Sequence, residues 1–97
     1  MKVLVIGRHA SLMSHLLRQM RQAGFEVTGV DTDAEALALI QQGHFEVVTI
    51  GGGVEPPSRA AFKAEAQRQT PSPTVLEIYG PDTLLPRLVA LRDKATA

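Results

Sequence analysis

Val47-Val48-Thr49-Ile50-Gly51-Gly52-Gly53-Val54-Glu55-Pro56-Pro57-Ser58 decides the fold. Its first four residues are all β-branched with no polar alternation, the pattern of a strand covered on both faces. Three glycines end that strand. Pro56 and Pro57 can stand only before or within the first turn of a helix, so a helix must follow directly. Strand, tight turn and helix form one half of a parallel crossover unit. In such sheets the ends of the strands at this junction are where ligands and partners meet the protein.

The rest of the chain repeats the alternation. Residues 2–7 are a second continuous apolar run ending in glycine. Leu12, Leu16 and Met20 then recur at helical spacing with Met13 and Leu17 beside them, while Ser14, His15, Arg18, Gln19 and Arg21 fall on the wetter side. Gly24 supplies a left-handed stop. Residues 25–31 read as an edge strand with partial alternation. Thr32-Asp33-Ala34-Glu35 is a capping box that opens a helix carrying Leu37 and Ile40 inward and closing at Gly43. The third strand is expected over 45–50, its helix over 58–69 with Phe62 and Ala66 inward, and a fourth strand over 74–79. Glu77 interrupts that strand, which places it at an edge or under an incompletely covered face. A last helix is expected from Asp82 or Thr83, because Pro86 is tolerated only in a first turn.

Four strands alternating with four helices over short connections predict one α/β domain over residues 1–97. It is a flavodoxin-like three-layer fold whose four parallel strands lie in the order 2-1-3-4. At 97 residues such a chain buries roughly 60–68% of its unfolded surface, enough for one core without staples. Ten basic residues balance ten acidic ones, so neither nucleic acid nor a membrane surface is an expected partner. With no cysteine, disulfides, thiol catalysis and thiolate metal sites are absent together. The apolar run after Lys2 meets Arg8 and His9 too soon to be an export signal, and no stretch approaches a membrane span; a cytoplasmic protein is expected.

The order 2-1-3-4 brings the loops after Gly7 and Ile50 together at one crevice. A phosphate, nucleotide or carboxylate could sit there on Gly7, Arg8, His9 and Ser11 from one loop and Gly51, Gly52, Gly53, Ser58 and Arg59 from the other. Glycine amides and the following helix N-terminus would supply positive potential. The competing reading is that the glycines only let the chain turn tightly. A dinucleotide fingerprint is not met, since the hexad Gly7-Arg8-His9-Ala10-Ser11-Leu12 has glycine only at its first position. Asp31 reads as an acid at a helix start. The three histidines stand at no metal-ligand spacing and no catalytic carboxylate pair or triad order is visible, so neither a cofactor, a metal nor an enzymatic activity is expected.

Several of these segments together resemble the receiver domains of bacterial response regulators. The resemblance runs over residues 2–80: a Leu-rich helix, Gly24-Phe25-Glu26-Val27 entering strand two, Asp33-Ala34-Glu35-Ala36-Leu37, and Gly43-His44-Phe45-Glu46-Val47-Val48 leading to the phosphoacceptor position. It implies a receiver-like scaffold with its chemistry removed. Arg8 and His9 replace the acidic pair, Gly51 replaces the phosphorylated aspartate, the hydroxyl position falls at Ile78 or Tyr79, and the lysine-bearing strand is missing. Receivers use those carboxylates for Mg²⁺ and phosphate, so the resemblance implies no aspartyl phosphorylation and a role through protein contacts in signalling. A weaker likeness, to cobalamin-binding domains, rests on His9 alone. The leading expectation is therefore a non-enzymatic domain that binds another protein or a second copy of itself, with Glu77, Tyr79, Leu85 and Val89 at the interface. The alternative is a module for a small anionic ligand at the crevice.

Overall fold

The computed structural model describes residues 1–8, 10–78 and 84–96. Its elements alternate as β1 (Lys2–Ile6), α1 (Ala10–Gln22), β2 (Glu26–Val30), α2 (Asp33–Gln42), β3 (Val47–Gly51), α3 (Pro56–Gln67), β4 (Thr74–Ile78) and α4 (Leu84–Thr96). Each strand pairing is parallel and the order is β2-β1-β3-β4, the α/β flavodoxin-like arrangement that the alternation predicts. The radius of gyration is 12.3 Å, against about 12.5 Å for one folded domain of this length. No helix among the described residues is long and apolar enough to cross a membrane.

Side chains of a strand alternate between faces, so each central strand feeds two cores. Val3, Val5 and Val47 join Phe25, Met20 of α1 and Leu88 of α4 on one face. Leu4, Ile6, Val48 and Ile50 join Ala36 and Ile40 of α2 and Phe62 and Ala66 of α3 on the other. Thr49 is the buried polar residue of β3, and its hydroxyl donates to the Leu4 carbonyl at 3.3 Å, which removes the cost of burying it. The expected inward positions Met20, Ile40, Phe62 and Ala66 are all buried, while Leu16, Met13, Leu17 and Leu37 are half-buried against the same cores. The side chain of Leu12 lies outside the described residues.

Local signals set the helix ends. The Thr32 hydroxyl accepts the Glu35 amide at 3.3 Å and opens α2. Gly24 and Gly43 take φ of 95° and 74°, the left-handed stops that α1 and α2 need. Helix α3 begins at Pro56, two residues earlier than expected, because both prolines fit its first turn, where no N–H donor is required. It ends at Gln67, with Arg68 as its C-cap. Strand β3 starts at Val47 rather than at Phe45 and runs one residue further, through Gly51. The expected start of α4 at Asp82 or Thr83 lies outside the described residues; Pro86 does fall in the first described turn.

Phe62 is fully buried between α3 and the sheet. Phe62→Ala should cost about 3–5 kcal/mol, read as a lower urea midpoint at unchanged m-value. Ala61→Ser, at an exposed position one residue away, should move that midpoint little.

Candidate functional site

The carboxyl ends of β1, β2 and β3 meet because β1 lies between the other two. The 51–53 run is a β-turn: the Val54 amide donates to the Gly51 carbonyl at 3.2 Å, and Val54 drops into the core beneath α3. The described glycines with positive φ are Gly24 and Gly43, so the triple glycine does not serve left-handed backbone. Close approach is the reason at its first position. A Cβ on Gly51 would stand 3.1 Å from the Ile6 carbonyl oxygen and 3.6 Å from the Gly7 Cα. Gly52 and Gly53 are exposed in the turn.

Arg59, one turn into α3, points back at this turn. Its Nε donates to the Val54 carbonyl at 2.8 Å and one Nη to the Gly51 carbonyl at 2.6 Å. The other Nη donates to Glu77 of β4 at 3.1 Å, and Lys63, one turn further along α3, holds the second Glu77 oxygen at 2.9 Å. The Arg59 side chain is 11% exposed. The guanidinium expected to face an anion is thus engaged on three sides by its own chain. Glu77 does lie on an edge strand, and the charge within that strand is explained by two cations of α3 rather than by open solvent.

Arg8, at the end of β1, organises the other side. It donates to the Asp31 carbonyl at 2.7 Å, to the Asp33 carboxylate, and to Glu55 at 3.1 Å. Asp33 also accepts the Ser58 hydroxyl at 2.6 Å. One guanidinium therefore joins the end of β2, the first residue of α2 and the N-cap residue of α3. Asp33 and Glu55 are 46% and 60% exposed, so solvent screens these pairs and they orient the loops more than they stabilise the fold.

Of the residues expected at the crevice, Gly7, Arg8, Gly51, Ser58 and Arg59 converge on the strand ends. The Gly7 amide bonds the Val30 carbonyl at 3.1 Å. Ser11 is exposed in the first turn of α1, and His9 lies outside the described residues. At the expected interface, Glu77 is ion-paired within the chain and Val89 is half-buried against the core. Tyr79 and the Leu85 side chain lie outside the described residues. Asp33, which the sequence marks only as part of a capping box, and Glu55 and Lys63 join the site as further charged residues. The signal for the first two was their place: one follows β2 and one precedes α3, and the strand order brings both to Arg8.

The carboxylates titrate below their ordinary range. Asp33 is held down by the Ser58 hydroxyl and then Arg8, Glu55 by Arg8 and its own amide, and Glu77 by Lys63 and Arg59. The Arg8 guanidinium is raised by its hydrogen bonds to Glu55 and Asp33. Among the described residues no group of acidic, histidine or cysteine side chains is placed to hold a metal ion. Comparison with protein-family models, curated proteins and solved structures returned no match.

Two outcomes are expected. Arg59→Ala strands the Val54 carbonyl and should lower stability by roughly 1–3 kcal/mol in urea unfolding, with a smaller loss for Lys63→Ala at the more exposed end of the pair. Because the folded carboxylates are depressed, their contribution is complete above the ordinary Glu value of 4.5 and is lost as pH falls through the lower folded values. Thermal midpoints should therefore fall on acidification below about pH 4.5, and Glu77→Gln should flatten that limb.

Proposed function

We propose that the protein is a non-catalytic, receiver-like domain that acts in signalling by contacting another protein or a second copy of itself. The observation that carries this reading is that the described polar side chains at the switch point are bonded to one another. An anion at Arg8 would have to displace Asp33 and Glu55. One at Arg59 would have to displace Glu77 and two backbone carbonyls. One guanidinium facing two carboxylates also leaves the Arg8 side locally negative, which opposes an anionic ligand.

In a receiver the carboxylates at this place hold a divalent cation. Here a resident guanidinium, Arg8, stands between two carboxylates, and Gly51 stands where the phosphoacceptor would be. Arg8 thus supplies from within the chain a positive charge of constant presence, one that no phosphorylation or metal binding switches. A crevice so closed leaves the helix surfaces for recognition. On α4 the exposed residues Pro86, Ala90, Asp93 and Lys94 surround the half-buried Val89 and Leu91, and we assign the contact surface to this part of the helix, apart from Arg87, which is bonded to the Glu77 carbonyl.

Two measurements test the reading. A panel of nucleotides, phosphorylated metabolites and inorganic phosphate should leave the melting temperature unchanged. A ligand at one hundred times its Kd would add about 2.7 kcal/mol and be plain in such a scan. A shift that Gly52→Val abolishes would overturn the proposal in favour of the anionic-ligand reading. Ala90→Arg, an exposed change on α4, should lower the weight-average mass of any self-associated form or weaken capture of a partner, with the melting temperature retained.

A further inference from the structure

We infer that Arg21 and Arg87 guard the two edges of the sheet against strand addition by a second copy of this chain. The inference begins with backbone parity. In a strand the N–H and C=O of one residue point to the same side, and successive residues alternate. On β2 the Glu26 amide donates to the Met1 carbonyl and the Val30 carbonyl accepts the Gly7 amide, each at 3.1 Å. Residues 26, 28 and 30 therefore face β1, and Val27 and Gly29 turn their backbone groups away from the sheet. On β4 the Thr74 amide donates to the Glu46 carbonyl at 2.9 Å. Residues 74, 76 and 78 face β3, and Val75 and Glu77 turn outward.

Both outward rows belong to edge strands, and an open row of backbone donors and acceptors is a template for another strand. Each row carries an arginine on one of its two carbonyls. Arg21, in the last turn of α1, donates to the Val27 carbonyl at 3.4 Å. Arg87, in the first described turn of α4, donates to the Glu77 carbonyl at 3.1 Å. The two helices come from the same face of the sheet, and their arginines reach opposite edges. An incoming strand would have to replace the guanidinium with its own N–H and would meet a positive charge at that register. When two copies approach through the same edge, the two guanidinium groups face one another and repel.

The test uses the whole chain. Arg21→Ala, Arg87→Ala and the double variant are compared with Arg18→Ala, which removes the same charge from an exposed position of α1. In sedimentation velocity over a concentration series, the weight-average mass of the double variant should rise about twofold or more above that of the wild type, with a gain of intermolecular β-signal in the infrared, while Arg18→Ala follows the wild type. An unchanged mass for the double variant overturns the inference. So does equal association of Arg18→Ala, which would make the effect one of charge alone, or a fall in mass for Arg87→Ala, which would make Arg87 a contact. Amide hydrogen exchange on the wild type covers the case of a variant that does not fold. Val27, Gly29, Val75 and Glu77 should exchange quickly beside protected Thr28 and Leu76. Protection of all four would mean that the edges are already paired, and would equally overturn it.

Discussion

Much of this structure depends on one guanidinium, that of Arg59. It binds the first carbonyl of the triple-glycine turn, the carbonyl of Val54 at the turn's end, and the carboxylate of Glu77 on the edge strand. The end of β3 already pairs with β4 through Gly51 and Ile78; Arg59 ties the first turns of α3 to that paired corner and fixes the helix against both strands. The planar, fixed fork of arginine suits this work, since its donors can satisfy separate acceptors at once, which a lysine ammonium would do with less directional constraint. Close to full burial makes each of these bonds matter, because a carbonyl left without a donor there costs more than the bond itself contributes.

Arg8 repeats the device on the other side of the crevice with more exposed partners. The consequence for function lies in what these two residues do to the strand ends. An α/β sheet ordinarily leaves that crevice open, and chemistry enters through it. Here one arginine draws two carboxylates and a helix-capping region together, and the other closes the glycine turn. The described polar side chains that Arg8 and Arg59 reach at the crevice are bonded within the chain. Arginines at the sheet edges extend the pattern: Arg21 and Arg87 each reach an outward carbonyl, and Arg92 of α4 donates to the Ala23 carbonyl at the end of α1 at 2.6 Å while lying over the Phe25 ring. In each case a cation on one element satisfies a backbone acceptor on another.

Much of the fold was legible in particular residues. Thr32 and Gly43 bracket α2, Phe62 and Ala66 mark the buried stripe of α3, and Pro71 and Pro73 follow its end. Glu77 pointed to an edge strand for a sound reason, although the same residue then proved to be the acceptor for two cations of α3. The strand order followed from the alternation of elements, because right-handed crossovers leave few ways to arrange four parallel strands. The site was legible as a place but not as a set of contacts. The sequence marks Gly51, Arg8, Ser58 and Arg59 for a ligand; the structure gives them partners at positions 33, 54, 55 and 77. No periodicity reports a pair such as Arg8 and Glu55, separated by almost half the chain.

By itself the sequence determined the element types, the helix stops, the parallel topology and a glycine rather than an acid at the end of β3, since each rests on local propensity or on a residue's own chemistry. Only the tertiary structure decided why the first of the three glycines carries no side chain. Gly51 lacks a side chain because the Ile6 carbonyl passes 3.1 Å from where a Cβ would stand, and that proximity exists only once β1 and β3 are paired. The same holds for the charges. A guanidinium seeks whichever acceptors the folded chain brings within reach, and in this fold those acceptors are the protein's own carboxylates and carbonyls.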